Sequence, residues 1–510
     1  MARLHEHQGK RILNEYGIAT PQGAAARSVE ERREIAEELG KAVVIKAQVY
    51  GTSRAASGGI RFADSPDVAA RIADEMLGAT IGGAVVEAVL VEEALPIARE
   101  FYLGCIVDDR LRRPVMLLSA AGGSGIEERT GTMAQVTASV RREPLPDELL
   151  AALNKSDTPE EVREALADVW LKLYRVARNS DARVAEINPL ALLQDGRLVA
   201  LDCRISVDDY AVFRHDDFGI EIAREIGHTP TELDRIAWEV EKDDYRGTFY
   251  FVELPQKENA EGIAIGFHGA GGGGSMASMD AALRAGLRPV DYVDTSGNPA
   301  ASKVYRAAKI ILRQQGIRGY FMSGSGVASQ EQFHLARALV KAFREARLSI
   351  PAVLRLGGNG EEIAARIISD YTNDLPAPVE AYQKRHSADF CANRLKELIE
   401  QSEAQETKPQ HRENTQPQRR ELRQSYSFET RTGQITYDHA ICAECESKAC
   451  VKECPPQILS LENQLPVLNI TLDEAKRGKC IECLACEVEC WFQGKGGAVI
   501  ELPIGGLSGG

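Results

Sequence analysis

No apolar run in this chain of 510 residues approaches the length of a membrane span. Basic residues are outnumbered, 61 against 75 acidic ones, and a net charge of −14 argues against the non-specific grip on phosphate backbones that nucleic-acid binders need. The opening stretch MARLHEHQGKRILNEYG, charged and amphipathic, reads as a helix rather than as a secretory leader. These absences predict a cytoplasmic protein with no membrane span and no nucleic-acid partner. Cysteine is sparse for most of the chain, with only Cys105, Cys203 and Cys391 scattered along it. Then eight of the eleven cysteines fall within residues 442–490. In a reducing compartment such crowding points to a metal or cluster site rather than to disulfides.

The first 235 residues alternate helix and strand signals. Residues 4–16 form an amphipathic helix pattern closed by Gly17. SVEERREIAEELG sets Ser28 three residues before Glu31, a capping box, with Gly40 as terminator. AVVIKAQV reads as a buried strand, and Ser65–Pro66 opens a helix ended by Gly78. Strands follow over 84–120 and a helix over 145–180, and VAEINPLALLQDGRLVALDCRI predicts a hairpin turning at Asp195–Gly196. From 262 to 370 the pattern becomes strand–glycine–helix, which predicts a doubly wound parallel α/β domain. Residues 401–424 hold almost no apolar side chains and read as a solvated linker.

The cysteines form two groups, Cys442-x2-Cys445-x4-Cys450-x3-Cys454-Pro455 and Cys480-x2-Cys483-x2-Cys486-x3-Cys490. Thiolates three residues apart converge on one soft metal centre while intervening amides bond to sulfur. The segment resembles two-[4Fe–4S] bacterial ferredoxins over roughly 435–503. That resemblance implies crossed ligation: Cys442, Cys445, Cys450 and Cys490 for one cluster, Cys480, Cys483, Cys486 and Cys454 for the other. Two structural zinc sites of four cysteines each are the alternative. Two departures bear on cluster type and potential: the first group has four residues before its third cysteine, and the second ends in Cys490–Trp491 rather than Cys–Pro.

LHEHQGKRILNEYGI, followed by VVIKAQV and EINPL, gives a second resemblance, running from residue 3 to about 370. The chain is similar to the β subunit of succinyl-CoA synthetase and its ADP-forming acyl-CoA synthetase relatives. That resemblance implies an α/β fold: an ATP-grasp domain (1–235), then a flavodoxin-like ligase (CoA synthetase) domain (236–385). A polar linker (386–432) and a small α+β ferredoxin-like domain (433–510) complete the expected order. It implies ATP/ADP contacts at Lys46, at Ser53, Arg54 and Ala55, and at Glu92, Leu95 and Glu100. Mg²⁺ falls to Asn188 and Asp202, which also lie nearly opposite each other on the two hairpin arms. Glu186 matches the glutamate that approaches a partner's phosphohistidine. His268 stands where the family has a substrate asparagine. Gly326, Val327 and Ala328 match a turn whose amides would meet a phosphoryl group at a helix N-terminus. The family's glycine-rich GGRGKAGG stretch appears as GTSRAASGG.

The expected function is therefore a β-type subunit of an ATP-dependent acid–CoA ligase. Its expected partners are a CoA-binding α-like subunit bearing the phosphohistidine, a carboxylate, CoA and a redox partner enzyme. The expected cofactors are Mg²⁺ and two [4Fe–4S] clusters, with the linker letting the ferredoxin module swing. The alternative is an ATP-gated electron-transfer subunit that has lost ligase activity.

Overall fold

Local chemistry sets the helix ends where the sequence places them. Ser28 Oγ accepts from Glu31 N and Glu31 Oε2 accepts from Ser28 N, at 3.2 Å each, and the helix Val29–Leu39 stops at Gly40 with φ +59°. A side chain at Gly40 would be strained in that left-handed conformation. Ser65–Pro66 starts the helix Pro66–Met76, and Gly196 (φ +87°) turns the strand Ala182–Leu193 back onto Leu198–Ala200. The computed structural model describes residues 1–50, 57–82, 84–123, 133–224, 230–242, 249–256, 260–406 and 425–507. The chain forms two units, Met1–Thr229 and Pro230–Gly510.

The first unit holds a larger and a smaller antiparallel sheet and a short ribbon of Thr80–Ile81 with Ala84–Val85. The smaller runs Gly23–Ala26, Val89–Glu93, Val43–Ala47, Ile60–Ala63. The helices Val29–Leu39 and Pro66–Met76 bury Ala36, Ile72 and Met76 against it. The larger has Ala182–Leu193 between Cys203–Val207 and Ile97–Asp108. The helix Arg163–Asn179 seats Trp170 in its core. The register between Ala182–Leu193 and Ile97–Asp108 breaks between Ile187 and Leu190, which sets Asn188 out of the ladder.

The second unit is built on a sheet of order Tyr250–Glu253, Asp291–Asp294, Ile263–Ala270, Tyr320–Gly324, Ala352–Arg355, Val379–Tyr382. All of these pairings are parallel except the one made by Tyr250–Glu253. Helices cover both faces, as the strand–glycine–helix repeat predicts.

The linker expected at 386–432 is corrected at both ends. Ala388–Glu406 is a helix whose Cys391, Ala392, Leu395, Leu398 and Ile399 complete the core on one sheet face. Ser425–Glu429 is the first strand of a three-stranded sheet with Gln434–Asp438 and Ala498–Glu501. The central stretch 407–424 lies outside the described residues.

The expected swinging module is corrected as well. The helix Ala485–Phe492 of the cysteine-rich domain packs on the helix Gln332–Glu345 of the parallel domain. Lys341 Nζ donates to Glu487 Oε1 at 2.9 Å, and Arg337 Nε donates to Glu489 Oε1 at 2.8 Å, all four side chains being buried. Tyr371 stacks on Phe492 with centroids 3.7 Å apart and donates its hydroxyl to Glu489 at 2.8 Å. Arg306 donates to Thr432 O at 2.7 Å and Pro503 O at 3.2 Å. The charged side chains of Lys341, Glu487, Arg337 and Glu489 close a buried seam between the two domains.

Candidate functional site

The first candidate site lies in the Met1–Thr229 unit, around Lys46. Its strand places the side chain inward, 7% exposed, where an ammonium is stable only among acceptors. Lys46 Nζ lies 2.8 Å from Glu6 Oε1 and 3.0 Å from Glu92 Oε2, and it also donates to Leu201 O. Burial works against its charge, but Glu6, Glu92 and Asp202 outweigh that and raise its pKa. Lys10 joins the same acids, 2.6 Å from Glu92 and 2.8 Å from Glu6. Two lysines thus face Glu6 and Glu92, and Asp202 adds to the negative field around Lys46.

Asn188 and Asp202 stand side by side. Asn188 N donates to Asp202 O and Leu201 N to Pro189 O, both at 3.0 Å. Asn188 Oδ1 accepts from Gly123 N at 2.7 Å. Glu100 reaches the same glycine: a Cβ on Gly123 (φ +86°) would sit 2.9 Å from Glu100 Oε2. Lys46, Glu92, Asn188, Asp202 and Glu100 are therefore brought into one region. Leu95 packs beside it with Ala191, Leu193 and Val199. Ser53, Arg54 and Ala55 lie outside the described residues. Glu186 stands opposite Arg204 in register and is held by Tyr102 Oη, which donates at 3.0 Å, with Arg204 Nη1 at 3.5 Å.

Two catalytic expectations in the parallel domain are corrected. His268 is fully buried, with Nδ1 2.5 Å from Tyr320 Oη and Nε2 3.1 Å from Thr295 Oγ1. A neutral ring satisfies both contacts, accepting at Nδ1 and donating from Nε2, and Thr295 passes its own proton to Gly269 O at 3.3 Å. His268 therefore offers no nitrogen to a substrate; it braces the sheet. Gly326, Val327 and Ala328 do not open a helix. The helix Gln332–Glu345 is capped at Glu331, three residues farther on. Ala328 instead bridges to Gly358, Val327 points outward at 80% exposure, and Arg355 beside Gly326 is committed to Gly324 O at 2.7 Å.

Burial lowers the His268 pKa to about 3 from 6.5. The unfolded chain takes up the proton first as pH falls. Stability from the neutral ring is full above pH 6.5 and drains below it, by about 1.4 kcal/mol per pH unit. Denaturant unfolding is expected to show about 2 kcal/mol lost through this group between pH 6.5 and pH 5, and His268→Gln to lack that share. Identical pH dependence of the two proteins would count against a neutral buried ring.

The second candidate site is the cysteine-rich domain. Its thiols line two cavities. One, of about 350 Å³, takes Cys454, Cys480, Cys483 and Cys486; the other, of about 240 Å³, takes Cys442, Cys445, Cys450 and Cys490. The structure thus brings together the two crossed sets. Among the described residues, no three His, Cys, Asp or Glu side chains are grouped as ligands of a single ion. Burial pushes the Cys442, Cys450 and Cys480 thiols up to about 12. Backbone N–H groups of Ile458, Gln457 and Leu459 point at Cys454, and those of Lys448, Lys495 and Ser447 at Cys445.

Sequence reasoning passed over Glu6 and Lys10, Arg204, the Lys341–Glu487 and Arg337–Glu489 pairs, and the cavity-wall residues Lys448 and Glu482. Glu6 and Lys10 carried a signal: two charges one turn apart on an amphipathic helix, where i,i+4 neighbours meet. The others lay too far in sequence from their partners to show one.

Among the described residues, no helix is long and apolar enough to cross a membrane. A family model described as an ATP-grasp domain matches residues 3–192. The β subunit of a GDP-forming succinate–CoA ligase from Thermus thermophilus is 36% identical over 377 residues, covering 72% of this chain and 93% of that one. The β subunit of an ADP-forming succinate–CoA ligase from Roseiflexus sp. is 34% identical over 375 residues, covering 72% and 94%. An ATP citrate lyase from Methanothrix soehngenii, solved with citrate and coenzyme A, matches with a TM-score of 0.62 at 18% identity. It covers 78% of this chain and 99% of that chain, a likeness of fold.

Proposed function

The chain belongs to the succinate–CoA ligase β-subunit family, and from that premise we propose that it is the nucleotide-binding subunit of an ADP-forming acid–CoA ligase that also carries two [4Fe–4S] clusters. The reaction is carboxylate + CoA + ATP giving acyl-CoA + ADP + phosphate. The observation that carries this reading is the convergence of Lys46, Glu92, Asn188, Asp202 and Glu100 in one unit.

Asp202 adds its carboxylate to the acidic field of Glu6 and Glu92 around Lys46, and clustered acidic oxygens suit a divalent cation. An amide oxygen and a carboxylate on adjoining strands are the hard donors Mg²⁺ takes alongside phosphate. Asn188 and Asp202 would hold it, and the ion would neutralise phosphate charge. Lys46 gives its donors to the phosphates by exchanging Glu6 for them, with Lys10 left to balance both acids. Glu186, steadied by Tyr102 and Arg204, presents a carboxylate to the partner's histidine. A CoA-binding α-type subunit is required for that relay.

The thiol cavities suit clusters by their donor set: four sulfurs around enclosed space, with backbone N–H groups aimed at them. Cys442, Cys445, Cys450 and Cys490 would hold one cluster, and Cys454, Cys480, Cys483 and Cys486 the other. Bound there, they supply one-electron transfer to a redox partner enzyme. The dry seam onto the helix Gln332–Glu345 favours one second reading, an ATP-gated electron-transfer subunit without ligase activity.

One preparation tests both. The protein is purified anaerobically with its α-type partner, and ADP release is assayed against a panel of carboxylates with and without CoA. Turnover is expected to require both carboxylate and CoA. Turnover that answers only to reductant sinks the ligase reading in favour of gating. Iron is expected near eight per chain, and stoichiometric zinc overturns the clusters.

A further inference from the structure

The two thiol cavities differ in the sign of the buried charge built into each wall. The cavity of Cys442, Cys445, Cys450 and Cys490 is lined by Lys448, 8% exposed. Its Nζ donates to Cys442 O and Gln464 O, both at 2.6 Å, and its backbone is left-handed at φ +51°. The four-residue spacer between Cys445 and Cys450 is what supplies this lysine. Lys495 also reaches this wall, but it is half exposed and paired with Glu444 at 3.2 Å.

The other cavity is lined by Glu482, 1% exposed and set between Cys480 and Cys483. Its oxygens accept from Thr430 Oγ1, Thr432 N and Thr432 Oγ1, each at 2.7 Å. Three donors thus converge on the two Glu482 oxygens, while Lys448 Nζ gives two hydrogen bonds to backbone carbonyls.

Each wall charge has an opponent farther out. Asp438 opposes Lys448 at Cys442 and is the weaker of the two. Arg337 approaches Cys483 from the parallel domain, but Glu489 holds its guanidinium at 2.8 Å, and Arg306, which donates to Thr432 Oγ1 at 3.0 Å, stands one residue behind Glu482. The wall charges therefore set the sign. Reduction adds one negative charge to a cluster, so a buried cation favours it and a buried carboxylate opposes it.

We propose that the two clusters are held at separated potentials, the Lys448-walled site above the Glu482-walled site. The inference rests on the reading that both cavities hold [4Fe–4S] clusters. A one-electron reductant such as dithionite gives up one electron and fills the Lys448 site first. The Glu482 site is the more reducing one. The lengthened spacer is then a tuning device and not a defect of the motif.

The test is an anaerobic redox titration of the full-length holoprotein, followed by electron paramagnetic resonance. Two separate one-electron waves are expected. Lys448→Gln should lower the upper wave and leave the lower in place, and Lys448→Arg should restore it. Glu482→Gln keeps the side-chain shape and one acceptor oxygen for Thr430 Oγ1 and Thr432 N, turns the other position into a donor toward Thr432 Oγ1, and should raise the lower wave alone. A single wave that neither variant moves, or Lys448→Gln displacing the lower wave, overturns the ordering. If Lys448→Gln fails to fold for want of its two carbonyl bonds, Glu482→Gln decides alone. Iron near eight per chain in the parent protein separates these outcomes from failure of the cluster reading itself.

Discussion

Replacing Lys46 by methionine is expected to lower ADP-forming kcat/KM by about 10²- to 10³-fold, the scale of losing one preorganised donor to developing phosphoryl charge. The same change is expected to destabilise the first unit. Lys46 shares Glu6 and Glu92 with Lys10, and without it those two buried carboxylates lose one of the two ammonium groups beside them. Breaking a buried ion pair from one side costs about 3–5 kcal/mol. A lost rate could then reflect a lost fold, so a second variant separates the two. Glu6→Gln combined with Lys46→Met removes one charge of each sign and restores balance. It is expected to recover most of the thermal stability and none of the turnover. Recovery of turnover in the double variant would make Lys46 a structural lysine and remove the nucleotide site from this region.

The second large effect is at the seam between the parallel and cysteine-rich domains. Lys341→Met leaves Glu487 buried, with Ile500 N as its remaining donor at 3.0 Å. The expected loss is about 3–5 kcal/mol, read by denaturant unfolding. Lys341→Met with Glu487→Met exchanges the pair for apolar side chains of similar volume and is expected to return to within about 1–2 kcal/mol of the parent. A tethered module that swings would expose both residues to water, and the single change would then cost under about 1 kcal/mol, as surface pairs do. The size of the single-variant loss thus distinguishes a docked domain from a swinging one. It also bears on the proposed electron transfer, because a docked cysteine-rich domain would present a fixed face to a partner.

Much of the fold was legible because its signals are short. Ser28 and Glu31, Asp195–Gly196, and the strand around Lys46 each depend on neighbours within one turn or one hairpin. The Asn188–Asp202 pairing was legible for the same reason, since a hairpin sets opposite residues by counting from its turn. The errors had a common source. His268 and Gly326–Ala328 were placed by matching glycine-rich patterns, and such patterns do not report whether a side chain faces the sheet core or where a helix begins. The helix Ala388–Glu406 was read as part of a linker because its buried Cys391, Leu395 and Leu398 are diluted among charges.

By itself the sequence determined the order of the domains, the two cysteine groups and the strand that carries Lys46. These follow from spacing and periodicity, which act between residues near each other along the chain. Only the tertiary structure decided which charges meet. Lys10 finds Glu92 across 82 positions, Lys341 finds Glu487 across 146, and Arg337 finds Glu489 across 152. An ion pair becomes strong only where water is excluded, and exclusion is a property of packed surfaces. Lys448 and Glu482 show the same dependence: they are ordinary residues in the chain, and the fold makes each of them part of the wall of one thiol cavity.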